Sequence, residues 1–277
     1  GLKDRHAVTT QRLSIPATAA DLLGQTAEVE GLLDLKVLGL HANKLRRGHL
    51  RGNRFRLRLR GCAEDAEQRA RAVAAWLGAH GWANFFGSQR FGHGGRNLHV
   101  GLRGLQSGRI GAPTWKRTLL ISAVQAELFN RYALQRIADG LFERILPGEL
   151  CALLPSGGLF RTDDPDREEG RMRRFELSAT GPIFGFKMMR PASLADEREQ
   201  ALLAESGLRL EQFRPFKAQG SRRRLRLALP EVEILQESDG LALEFELPAG
   251  SYATVLAEEF IKSEVEVEES ELLAELA

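Results

Sequence analysis

Cysteine is scarce in this chain of 277 residues: Cys62 and Cys151 are the only two, and they lie in unrelated segments. A disulfide framework and a CxxC zinc site are thereby excluded, and both residues read as plain buried thiols. Also lacking is any run of about 18 to 20 uninterrupted apolar residues, the length that crosses a bilayer. The basic, polar start GLKDRHAVTTQR has no apolar signal-peptide centre. The expectation is a soluble cytoplasmic protein with no membrane partner. No Gly-rich phosphate loop, H-E-x-x-H or G-x-S-x-G occurs, so the commonest NTPase, zincin and serine-hydrolase readings lack support. What is present, 43% hydrophobic and 27% charged residues, excludes disorder as the main state and suffices for one large domain or two ordinary ones.

The net charge of +2 hides an asymmetry. Residues 263–277 carry six Glu (264, 266, 268, 269, 271 and 275) and no Lys or Arg, and removing those six charges leaves +8. A basic body with an acidic tail points to a polyanionic partner. Between Asn43 and Arg60 stand Lys44, Arg46, Arg47, Arg51, Arg54, Arg56, Arg58 and Arg60 with His49 and no acid. Phe55, Leu57 and Leu59 alternate with the last four arginines, the period of a strand with one buried face. Four like charges at about 7 Å spacing repel one another, so a phosphate backbone is the expected counterpart.

Helical spacing runs from Ala63 to Ala79, closed by Gly78 and Gly81, and again from about Lys116 to Phe142. Residues 143–220 break into short apolar runs between Pro and Gly turn signals and read as a second, smaller unit. Its charged helix, about Ser193 to Ser206, has Ser193 as N-cap and Asp196 in an imperfect capping box. Two strands follow, around Leu225, Leu227, Leu229 and around Leu241 to Leu247, expected to form a hairpin through Ser238, Asp239 and Gly240. A short helix, roughly Tyr252 to Ile261, precedes the acidic tail.

Two segments hold side chains suited to chemistry. In GLKDRHAVTTQ, Asp4 sits between Lys3 and Arg5, cations that hold a carboxylate ionised; the plainer reading is a turn aspartate, with His6 a hydrogen-bonded structural residue. In NFFGSQRFG, residues 84–92, followed by HGGRN, three phenylalanines and Arg90 and Arg96 are set among glycines. Aromatic rings interleaved with arginine serve recognition of single-stranded or flipped bases. Phe85 and Phe86 are adjacent, and on an extended chain only one faces inward.

Together with WKR-x4-SA at 115–123, Leu128-Phe129-Asn130, ATGPIFG at 179–185 and LPAGSYAT at 247–254, these segments resemble, in order, the signatures of the TruD family of tRNA pseudouridine synthases. The resemblance implies an α+β fold: a pseudouridine-synthase catalytic domain with a mixed β-sheet and flanking helices, interrupted by a smaller α/β insertion domain. The catalytic part is expected at 1–107 and 221–277 and the insertion at 108–220. Because family members carry further sequence ahead of the first motif, the chain is expected to be an N-terminally truncated member with an incomplete catalytic domain. The family's nucleophile falls on Asp4, its active-site Phe on Phe86 and the motif's Asn on Asn84.

By the same resemblance the substrate is uridine 13 of tRNA, the product pseudouridine, with no cofactor, metal or nucleotide, and the chain acts as a monomer. The expected tRNA contacts are Lys3, Arg5, His6, Lys44, Arg46, Arg47, Arg54, Arg56, Arg58 and Arg90, with Arg222 to Arg224 in addition and Arg90 a candidate ion-pair partner of Asp4. Two other classes share these features. A non-catalytic RNA-binding module would be indifferent to Asp4→Ala, and a glycosidase-like hydrolase needs a second carboxylate about 5 to 9.5 Å from the first, which Asp4 lacks nearby in sequence.

Overall fold

The alternation at 54–60 is realised as strand β1, Gly52–Arg60, in the computed structural model, which describes residues 7–16, 36, 38–46, 50–154 and 156–261. Residues 1–53 and 54–277 form two units. In the first, the described residues before Gly52 hold no helix or strand; the amide of Leu45 donates to Ser14 Oγ at 3.0 Å.

In the second unit β1 pairs with β9 (Gly240–Pro248), which pairs in turn with β8 (Glu233–Glu237). The β8–β9 hairpin turns at Ser238-Asp239 as expected, with Glu237 opposite Gly240. Its first strand, however, is 233–237 and not the run around Leu225 to Leu229. Pro230 ends that run because it has no amide to give a ladder. Only glycine fits at 240, where φ is +152° and a Cβ would stand 1.9 Å from Leu59 O. Helices α1 (Ala66–His80) and α6 (Ala253–Ile261) cover the sheet, and Ala70, Leu77, Trp82, Leu243, Phe245, Val255 and Leu256 form this core.

The other core lies between the long helix α3 (Thr114–Ala138) and a sheet of order β4-β3-β5-β6: Leu159–Arg161, Leu150–Leu153, Leu177–Ile183 and Ser221–Arg224. Helix α2 (Arg96–Ser107) packs on α3 so closely that a Cβ on Gly101 would stand 2.3 Å from Leu120 O. Helix α3 ends four residues earlier than its apolar spacing predicts, just before Gly140 at φ +68°. Helix α4 (Pro165–Arg173) starts with proline and a capping Asp164, whose carboxylate accepts the amide of Arg167. Helix α5 (Ser193–Glu205) is not capped by Ser193. That residue is the first of the helix, with φ +50°, the preceding Ala192 amide is bonded to Gly148 O, and Asp196 is taken by Arg190.

This core draws Leu105 and Leu225 from the expected catalytic part and Val124, Phe129, Leu177 and Phe213 from the expected insertion. Helices and sheets together make an α+β protein. The site sits where strand residues 221–227 lie between β5 on one edge and β2 (Trp82–Ala83) on the other: Thr180 faces Arg224, and Trp82 faces Leu227 in the β2–β7 pair, with β7 being Arg226–Leu227.

Candidate active site

The chain leaves β2 directly into NFFGSQR, where Asn84, Phe86 and Arg90 are anchored by hydrogen bonds. The Asn84 amide donates to Leu225 O at 2.9 Å and its side-chain Nδ2 donates to Arg224 O at 3.0 Å. Its Oδ1 accepts from Arg223 Nη2 at 2.6 Å. Phe86 is gripped through its backbone by one side chain of α3: its amide donates to Asn130 Oδ1 at 2.9 Å, and Asn130 Nδ2 donates to Phe86 O at 3.0 Å. Its ring meets Phe129 edge-on at 5.6 Å and Tyr252 at 5.8 Å, with the Arg223 guanidinium 4.0 Å from its centroid. One face of Phe86 is thus occupied by a cation. Phe85 and Phe86 both pack against the core under α3, and Phe85 also reaches the core under α1 and α6.

Asn84, Phe86 and Arg223 line a cleft of about 500 Å³ together with Arg90, Ser122, Gln125, Thr180, Arg222, Arg224, Gly250 and Ser251. Arg90 Nε donates to Tyr252 Oη at 3.1 Å, and its Nη1 reaches Ser122 Oγ at 3.4 Å. Gln125 donates to Phe184 O at 2.6 Å, which fixes its amide. Arg223 also donates to Asn84 O and Gly250 O. Burial pushes its pKa down to about 10, helped by the neighbouring Arg90 and Arg224 charges, and burial lowers Arg224 as well. Both remain cations at neutral pH. Among the described residues lining the cleft there is no Asp or Glu, so the cleft presents positive charge and one aromatic ring to its contents. It suits a planar base attached to an anionic backbone.

The expected site residues divide. Asn84, Phe86 and Arg90 come together in the cleft, while Lys3, Asp4, Arg5, His6 and Arg47 lie outside the described residues. Lys44 and Arg46 belong to the first unit, where they line a small hollow with His41 and Asn43.

Arg54, Arg56 and Arg58 correct an assumption. Their charges are compensated: Arg54 and Arg56 pair with Glu244, Arg56 and Arg58 with Glu237, and Arg60 with Asp239. The acids come from β8, β9 and the turn between them, so a stretch without acid in sequence is not a surface without acid in space. Arg222 likewise is not free for phosphate, since it is buried in a two-point pair with Glu199.

Sequence reasoning missed Arg223 as the hub of the cleft and gave no role to Asn130, Gln125 or Tyr252. The signal for Arg223 was the triple arginine 222–224, whose alternation sends its middle member to the opposite side from Arg222. No group of three or more His, Cys, Asp or Glu among the described residues is arranged to hold a metal ion, and no described helix is long and apolar enough to cross a membrane. Both cysteines are free, Cys62 half-buried and Cys151 buried.

A family profile described as tRNA pseudouridine synthase D (TruD) matches residues 1–108 and 112–260. The chain is 45% identical to tRNA pseudouridine synthase D of an Anaeromyxobacter species over 98% of its own length and 78% of that protein's. It is 40% identical to the protein of the same name from Thermus thermophilus, over 95% of its length and 73% of the other. In fold it is similar to a crystal structure of the protein named tRNA pseudouridine synthase D in Methanosarcina mazei, with a TM-score of 0.67 at 20% identity, covering 83% of this chain and 73% of that one. The cleft around Phe86 and Asn84, the α+β fold and these likenesses lead to one assignment: the chain belongs to the TruD family of tRNA pseudouridine synthases.

Proposed function

We propose that this protein isomerises uridine to pseudouridine in tRNA, with uridine 13 as the target and Asp4 as the nucleophile. The observation that carries the reading is Phe86, held at backbone and ring in a cationic cleft, in a chain of this family. The reaction breaks the N1–C1′ bond, turns the uracil and joins C5 to C1′; C5 gives up its hydrogen as a proton and the freed N1 takes one up. Atoms and oxidation state balance without redox chemistry or nucleotide energy. The Asp4 carboxylate either attacks C1′ and is displaced from it when C5 bonds there, or takes the C2′ proton along a glycal-type path and returns it when C5 adds to C1′. Phe86, which lines the cleft with the Arg223 and Arg90 guanidinium groups over its ring, retains the detached uracil between bond breaking and bond making. Asn84, fixed by Arg223 and Arg224 O, orients the base edge or Asp4, and Arg90 supplies positive charge at the same wall. The uridine enters extruded from its stack.

The test is release of tritium from tRNA labelled at uridine C5. Release is expected with the parent, none with Asp4→Ala or Asp4→Asn, and none from tRNA with cytidine at position 13. Release undiminished in Asp4→Asn would remove the nucleophile assignment. Salt-sensitive tRNA binding with no release would favour the non-catalytic RNA-binding reading.

A further inference from the structure

Ser122 lines the cleft from α3, and Trp115 lies seven residues before it on the same helix. Seven residues are two turns, so the indole stands on the same helix face as Ser122, about 10 Å along the axis. It is 69% exposed, unusual for the largest apolar side chain. Of the two residues between them on that face, Thr118 is small and exposed and Leu119 is half-buried. Along the sequence around Trp115 the charge has one sign. No Asp or Glu occurs between Glu67 and Glu127, and Arg109, Lys116 and Arg117 are exposed without an ion-pair partner among the described residues. The arginines of β1, by contrast, are all paired. The other exposed indole, Trp76, is already stacked on His80 with ring centroids 4.6 Å apart.

An open indole among unpaired cations, in line with a base-sized cleft, has the chemistry of a stacking platform on a nucleic-acid strand. We infer that Trp115 stacks on a nucleobase of the substrate strand beside the extruded uridine, with Arg109, Lys116 and Arg117 neutralising the phosphates around it. The inference rests on the RNA-isomerase reading and adds a second base site to it. The strand runs from the Phe86 cleft along α3 toward the helix start, and two stacked bases fix its direction where one would let it pivot.

The test uses the full chain and an unmodified tRNA transcript. Tryptophan fluorescence of the parent is expected to quench on titration with tRNA. That quench disappears in Trp115→Phe and persists in Trp76→Phe. Trp115→Ala binds roughly 5- to 150-fold more weakly, the loss of one base stack, and Trp115→Phe, which keeps an aromatic face, recovers most of it. Lys116→Gln and Arg117→Gln each lower the slope of log affinity against log salt by about one. Binding by Trp115→Ala within twofold of the parent, with the same quench in Trp115→Phe, would overturn the inference.

Tritium release separates the two readings. Release with an indifferent Trp115 leaves the isomerase standing without this platform. The expected quench and binding loss without release leave a base-stacking site on a protein that is not an isomerase. No tRNA binding at all removes both.

Discussion

Replacing Arg223 by methionine or lysine tests whether the cleft works as one fixed unit. Burial holds this guanidinium at a pKa of about 10, well below the ordinary arginine range, a lowering equivalent to about 3 kcal/mol of unfavourable charge burial. Against it stand three good charge-assisted hydrogen bonds, to Asn84 O, Asn84 Oδ1 and Gly250 O, at about 1.5 kcal/mol each. The ring contact with Phe86 adds about 1 to 2 kcal/mol. Arg223→Met should therefore unfold only about 3 kcal/mol more easily, modest for a side chain with so many partners. Turnover should suffer far more, because Asn84 Oδ1 loses its donor and Phe86 its backing cation; misplacement of about 1 Å lowers rate by about 10²-fold. Arg223→Lys, which keeps charge but not the fork, should lose nearly as much. Single-turnover tritium release at saturating tRNA, on samples matched for folded fraction by near-UV circular dichroism, reads the effect. Either variant isomerising within twofold of the parent would refute the positioning argument. The sign of the pH effect is fixed as well. Above about pH 10 the unfolded state holds the proton that the folded state has released, so the Arg223 contribution to stability rises with pH there.

Gly101→Ala forces α2 off Leu120 O and should lower the urea midpoint by an amount equivalent to about 1 to 3 kcal/mol with the m-value unchanged; an unshifted midpoint would mean that the two helices slide freely. Arg56→Gln and Arg58→Gln remove charges already held by Glu237 and Glu244, so the salt dependence of tRNA affinity should keep its slope. A slope lower by about one in each would mean that RNA takes these arginines from their carboxylates. Burial raises the Cys151 thiol to about 12, so at pH 8 its thiolate fraction is about 10⁻⁴. A thiol-specific dye should then label one residue of the folded chain, the half-buried Cys62, and both only after unfolding.

Local patterns carried the reading furthest. The alternation in Arg54 to Arg60 locates β1 to within two residues, and the turn at Ser238-Asp239 falls where its residue types place it. Asn84, Phe86 and Arg90 converge in space because they are close in sequence and the loop between them is short. What stayed hidden depends on distant partners. Glu237 and Glu244 lie about 180 to 190 residues from the arginines they neutralise, and no window along the chain reveals such a pairing. Arg223 and Arg222 are neighbours of one residue type, yet one grips Asn84 and the other is buried against Glu199. That division is set by the alternation of side chains across the strand and by which groups lie on each face. Ser193 shows the opposite failure, a favourable local signal overridden because the preceding residue is tied to Gly148.

Asn130 turns its side-chain amide into a short piece of sheet edge, giving and receiving one hydrogen bond with the backbone of Phe86. With Arg223 on the ring and Asn130 on the backbone, the loop arrives at the encounter with little conformational entropy left to lose. Fitting then falls to the RNA, which supplies its uridine already unstacked, so the energy of opening the nucleic acid enters the observed affinity almost undiluted. Selectivity among uridines becomes a ranking by ease of extrusion. A structured RNA with one loosely held uridine is favoured over a tightly stacked one of the same sequence before any base edge is read.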